Sequence, residues 1–270
     1  MRSTICVLFS FFLFGIVVSS SPDITTSVND FADAIFNYIQ KNTKNNIVIA
    51  PVSIQAAMAL ADAGSRGKTT TGLDTALQLG DETVAQVIHA FHILLKSIKS
   101  ANSPGNSLVF ATKIFIKKGD KITKFFKNAA CRFYSSVGTV DFTNVKAAVK
   151  TINKWVSKKT NKQITSIVTP ANIPPGTDML IVNAIYFQGA WAHPFKSSKT
   201  VQGPFNTSPT ATKNIYMMHQ TNTFPYGTSA PLDATVADFP YTQPGLSMLI
   251  ILPNPVDGLQ TAINTWGQVI

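Results

Sequence analysis

The chain has 270 residues, 45% of them hydrophobic and 13% charged, with 15 glycines and 15 prolines. Those proportions exclude a disordered, collagen-like or repeat protein and leave a globular one, with apolar residues for one sizeable core or two small ones. The formal charge of +10 is concentrated: between Lys113 and Lys162 stand thirteen Lys and Arg against two acids, Asp120 and Asp141, and the rest of the chain is close to neutral.

The first element is a short basic start, Arg2, followed by an almost unbroken apolar run from Ile5 to Val18 and the small residues Ser19, Ser20 and Ser21 before Pro22. The run is too short to span a bilayer comfortably and has the layout of a secretory signal cleaved after Ser20. Residues 1–20 are therefore expected to be a signal peptide, and 21–270 a secreted, extracellular chain without a membrane segment. Cleavage removes Cys6 and leaves Cys131 alone, so no internal disulfide forms. Cys131, between Ala130 and Phe133 in a helical pattern, is expected to be a buried, inert thiol.

Ser27 and Asp30 have the spacing of a capping box ahead of an amphipathic helix through Phe31, Ala34, Ile35, Tyr38 and Ile39. A short strand, Ile47 to Ala50, stops at Pro51, and Ser53 caps a second helix that ends at Gly64. A third helix closes at Gly80, and a fourth uses Val84, Val87, Phe91, Leu95 and Ile98. Alternation of Leu108, Phe110, Ile114 and Ile116 predicts a strand with a polar back face. Helical spacing returns at Ile122 to Phe133, a strand follows near Val137 to Phe142, and Val145, Val149, Ile152 and Val156 mark the apolar face of another helix. Met179 to Phe187 reads as a strand covered on both sides. The remainder reads as strands, Ile215–Met218, Thr235–Phe239 and Ser247–Leu252, before a last helix opened by Asp257 and Gly258. Helices first and strands last argue for an α+β fold rather than βαβ units. No stretch reads as a linker between domains.

No enzymatic signature is present, and neither a catalytic residue nor a cofactor is expected. Gly64-Ser65-Arg66-Gly67-Lys68-Thr69 ends like a phosphate-binding loop, but Asp62 stands where the motif needs glycine and a helix precedes it, so a helix–helix turn is the better reading. His89 and His92 share a helical face without a third ligand nearby, so no metal site is expected. Asn206-Thr207-Ser208 is an N-glycosylation sequon in what reads as an exposed turn between Pro204 and Pro209. Lys146, Lys150, Lys154 and Lys158 recur every four residues opposite the apolar face of their helix, and Lys117, Lys118, Lys121, Lys124 and Lys127 precede them. Such a patch either is a solvated surface or binds a heparin-like polyanion; nucleic acid is not expected, because aromatic interleaving is missing.

Five blocks together resemble the serpin family. Asn46 to Ile54 matches its buried strand and the start of its second helix, and Gly64 with Gly67-Lys68-Thr69 the turn before the third. Ile152-Asn153-Lys154-Trp155-Val156 with Thr160 to Ile164 is similar to helix F and the segment after it. Val182-Asn183-Ala184-Ile185-Tyr186-Phe187-Gln188-Gly189-Ala190-Trp191 with Phe195 resembles the family's most diagnostic strand, and Phe239-Pro240-Tyr241 with Leu246 to Pro253 a late strand pair. The resemblance implies inhibition of an extracellular serine protease by insertion of a reactive loop into a β-sheet. It places Ser53 and Asn183 in the shutter beneath that sheet and Trp191 at the breach where insertion begins. Ala50 stands where the family commonly has serine. It also implies that the later strands, hinge and reactive loop lie beyond residue 270. An incomplete serpin-like domain at 21–270 is expected, non-inhibitory as written, aggregation-prone, and apolar at its surface around Leu246–Leu252. The protease partner would belong to a full-length form only.

Overall fold

The structure, a computed structural model, describes residues 6–7, 24–43 and 45–269. The expected signal peptide lies outside these except for Cys6–Val7, a two-residue strand (β1). The described residues form two compact units, one of residues 24–43, 45–102 and 107–188 and one of residues 6–7, 103–106 and 189–269.

In the first unit, α1 (Ile24–Asn42), α2 (Pro51–Gly64), α3 (Lys68–Ala76) and α4 (Val84–Ser100) precede β2 (Ser107–Lys117). After it come α5 (Lys124–Arg132), β3 (Ser136–Val140), α6 (Val145–Lys159) and β4 (Met179–Gln188). The sheet order is β3-β2-β4, with β3 parallel and β4 antiparallel to β2. α6 lays Ala148, Ile152 and Val156 on one face, against Phe115, Val182 and Ala184. The strand positions that alternate with these look the other way, where Asn183 meets Ser53 of α2. The expected polar back face of β2 is therefore covered: Phe115, one residue from the apolar alternation, is sealed under α6.

Helix starts are set by different residues than the spacing predicts. α1 begins before Ser27, whose hydroxyl instead donates to the Leu77 carbonyl and accepts from Gln55. α2 starts at Pro51, whose missing N–H costs nothing at a first turn, and Ser53 is buried inside the helix rather than capping it. Residues 47–50 form no strand, and Val48 is 89% exposed, because an apolar run makes a strand only where another offers its hydrogen bonds. α4 has a full capping box, Thr83 with Gln86.

The second unit holds a hairpin of β5 (Val201–Ser208) and β6 (Ala211–Met217) and a sheet ordered β1-β9-β8-β7, from β7 (Tyr226–Ser229), β8 (Ala234–Pro240) and β9 (Ser247–Pro253). Ile251 and Ala234 pack with Leu232, and Trp266 of α7 (Leu259–Val269) joins them. Met248, Leu249, Ile250 and Leu252 are half-buried, so the apolar surface expected at Leu246–Leu252 is only partly open, while Leu246 itself is buried. β5 was not legible in the sequence. It carries Pro204, which an edge strand tolerates, and it places the sequon in a strand rather than the expected turn. Among the described residues no helix is long and apolar enough to cross a membrane.

Candidate functional site

The centre of the first unit is a polar cluster inside an apolar layer. β2 and β4 pair so that Thr112 stands opposite Asn183. The Asn183 amide donates to Thr112 Oγ1 at 2.9 Å, and its carbonyl oxygen accepts the hydroxyl of fully buried Ser53 at 2.5 Å. Around them Ile114, Leu60 and Phe91 are fully buried. Two of the three residues, Ser53 and Asn183, are expected from the sequence. Thr112 is not, although it fills the gap left in the alternation Leu108, Phe110, Ile114, Ile116. An unpaired amide there would cost roughly 1–3 kcal/mol, so the three groups stand or fall together.

Trp191 belongs to the second unit and is held differently. It bridges Tyr241, and the two rings stack with centroids 4.6 Å apart. Phe195 and Phe239 meet the indole edge-on, both at 6.2 Å. Phe224 packs on Phe239 and His193 on Phe224, which closes an aromatic cluster. The backbone is fixed by Ala192 donating to Pro240 and Thr242 to Ala190, with buried Asn106 bonded to the Ala190 N–H and the Thr242 hydroxyl. Burial pushes the Tyr241 hydroxyl up to about 12.

The nine lysines do not form one surface. Lys146, Lys150, Lys154 and Lys158 are all exposed along the outer side of α6, and none pairs with a described acid. Lys124 and Lys127 are exposed on α5, which packs on α2, α4 and β3, and the Phe126 ring of α5 lies against Gly64 of α2. That places them on the sheet's α2 side, away from the α6 row. Lys118 and Lys121 are exposed in the loop between β2 and α5, and Lys117 is tied to Asp178 at 3.1 Å.

Cys131 is exposed, not the buried thiol its neighbours suggest: α5 buries Phe126, Ala129 and Ala130, and one more residue turns the side chain about 100° out of that face. His89 and His92 are engaged by Arg132, whose guanidinium lies 3.2 Å from His89 Nδ1 and whose carbonyl lies 2.8 Å from His92 Nδ1. Asn206 is half-buried in β5, its carbonyl oxygen accepting from the Thr212 hydroxyl at 3.0 Å. The glycine-rich turn that imitates a phosphate loop joins two helices, with Gly67 at φ 61°.

A family model described as Serpin (serine protease inhibitor) matches residues 26–268. The chain is 31% identical over 242 residues to Serpin B3 from Homo sapiens, which is 84% of this chain and 62% of that protein. It is 32% identical over 228 residues to serine protease inhibitor 42Dd from Drosophila melanogaster, 83% of this chain and 61% of that protein. Among solved structures it matches cleaved Serpin 42Da with a TM-score of 0.85 at 30% identity, covering 91% of this chain and 66% of the other. Ovalbumin from emu (Dromaius novaehollandiae) gives 0.83 at 26%, covering 92% and 69%. The chain thus spans less than two-thirds of the length of these two curated relatives.

Proposed function

The chain belongs to the serpin family, and from that premise we propose that it serves the inhibition of an extracellular serine protease, supplying a sheet and its polar pin rather than catalysis. The observation that supports this reading is the Ser53–Asn183–Thr112 cluster. Inhibition by strand insertion needs a sheet whose central strands can part. Directional bonds worth about 0.5–1.5 kcal/mol net each can be broken and remade, while an apolar seal gives no such stepwise release. By resemblance, the hinge and reactive loop follow the last helix of this chain, so the polypeptide as written is proposed to carry no bait. Incubation of the 270-residue polypeptide with trypsin-, chymotrypsin- and elastase-type proteases, followed by denaturing electrophoresis, tests this. No covalent adduct is expected, and an adduct would contradict the reading.

The apolar run Ile5–Val18 supports export, and the mature N-terminus is expected at Ser21; expression in a secreting cell with N-terminal sequencing decides it. Asn206 is then a glycan acceptor, modified before β5 closes on β6, which a mass shift on glycosidase treatment reads out.

The α6 row favours a second role, capture of a heparin-like polyanion. Changing Lys146, Lys150, Lys154 and Lys158 to Gln is expected to lower the salt needed for elution from heparin, while Lys124→Gln with Lys127→Gln changes it little. A loss in the double variant about half that of the quadruple one, in proportion to the charges removed, would mean that net charge alone sets retention.

A further inference from the structure

The outer face of α6 works against its own helix. Lys146, Lys150, Lys154 and Lys158 follow one another at one-turn spacing, all exposed, and the other exposed side chains of the helix are Ala147, Thr151 and Lys159. No acid occurs from Phe142 to Thr177, none stands in the first turn of α6, and none of the row pairs with a described carboxylate. Like charges four residues apart weaken a helix, so Lys146–Lys150, Lys150–Lys154 and Lys154–Lys158 are all unfavourable pairs. Lys146 adds a cation at the end where the helix dipole is already positive. The inner face is the opposite case: Ala148, Ile152 and Val156 are fully buried against the sheet. Packing therefore holds in place a helix that its outer charges loosen.

We propose that this face makes α6 a polyanion-responsive element: an extended sulfated glycan laid along the row relieves the repulsion and tightens α6 on the sheet. The proposal rests on the reading of the row as a glycan site and adds a consequence for the fold. The row rises about 6 Å per lysine and about 18 Å from Lys146 to Lys158, so the ligand that answers every lysine is a linear chain of repeated anionic groups and not a single sulfate. Ala147 and Thr151 are small and leave such a chain room to lie close to the helix. A ligand that binds the closed helix better than the loosened one stabilises the closed form by mass action. Salt acts on the two parts with opposite sign: it screens the lysine pairs and so firms the free helix, and it weakens the hold on the glycan.

Hydrogen exchange of α6 peptides in the full chain at fixed pH, with β5–β6 peptides as reference, tests this. Without ligand, α6 protection is expected to rise with salt. At low salt a heparin octasaccharide is expected to raise it about threefold, the low end of what the relieved lysine pairs yield, while β5–β6 stays unchanged. A sulfated disaccharide, shorter than the row, is expected to do much less. With Lys146, Lys150, Lys154 and Lys158 all changed to Gln, α6 is expected to start at the high-salt protection of the parent and to respond to neither salt nor octasaccharide. Lys124→Gln with Lys127→Gln is expected to respond as the parent does. Parent α6 peptides that ignore salt and octasaccharide, a response that persists in the quadruple variant, or a disaccharide as effective as the octasaccharide overturns the proposal. The glycan reading survives each of these results as long as heparin retention still depends on the row, and retention that does not depend on it removes both.

Discussion

The two faces of the β3-β2-β4 sheet are closed by different physics. On the α6 side Ala148, Ile152 and Val156 meet Phe115, Val182 and Ala184, with Trp155 edge-on to Phe115 at 5.9 Å. On the α2 side the contact at the same strands runs through Ser53, Asn183 and Thr112. Apolar contact has no preferred direction and is lost in proportion to area, so the α6 side resists any local opening. A hydrogen-bonded cluster is directional and can exchange partners, so within the otherwise apolar α2 side, where Leu108, Ile114 and Ile116 are buried, it is the place at which contacts can be broken and remade.

The largest expected effect breaks the apolar side. Ile152→Ala should destabilise the chain by about 2–5 kcal/mol in urea, the cost of a fully buried large-to-small change. Asn183→Ala should cost less, about 1–3 kcal/mol, since it strands the Ser53 and Thr112 hydroxyls without opening a large void. A larger loss for Asn183→Ala than for Ile152→Ala would invert the comparison. A clamp at the edge of the α6 side sharpens it: Asn153 accepts the Ile167 and Val168 N–H groups and donates to the Val168 carbonyl. Asn153→Ala should cost about 1 kcal/mol and raise amide exchange at Ile167 and Val168 but not in β4. The smallest effect belongs to the exposed row: Lys150→Gln and Lys154→Gln should stay within about 0.5 kcal/mol of the parent.

The parts legible in the sequence were those with a strong local signal. α6 follows from its helical spacing, and β4 from a nearly continuous apolar run in which Asn183 is the odd polar residue. Thr112 escaped because a single polar residue in an alternation reads as a lapse until the facing strand is known. Cys131 and Ser27 show the limit of neighbour-based reading: a helix start one turn earlier, or one residue of rotation, moves a side chain from one role to another. Ile47–Ala50 and β5 show that strands are decided by partners. The first has apolar residues and no described partner, the second has Pro204 and a partner in β6. The division of the lysines between α6 and α5 was invisible for the same reason, because charge along a chain does not say which side of a sheet each helix takes.

The direct test of the polar pin is a double-mutant cycle on Ser53→Ala and Asn183→Ala, with unfolding free energies from urea for the parent, both single variants and the double. A coupling of roughly 0.5–3 kcal/mol is expected if the two side chains act as one unit. Costs that add to within about 0.3–0.5 kcal/mol would mean that α2 and β4 are held together by something else.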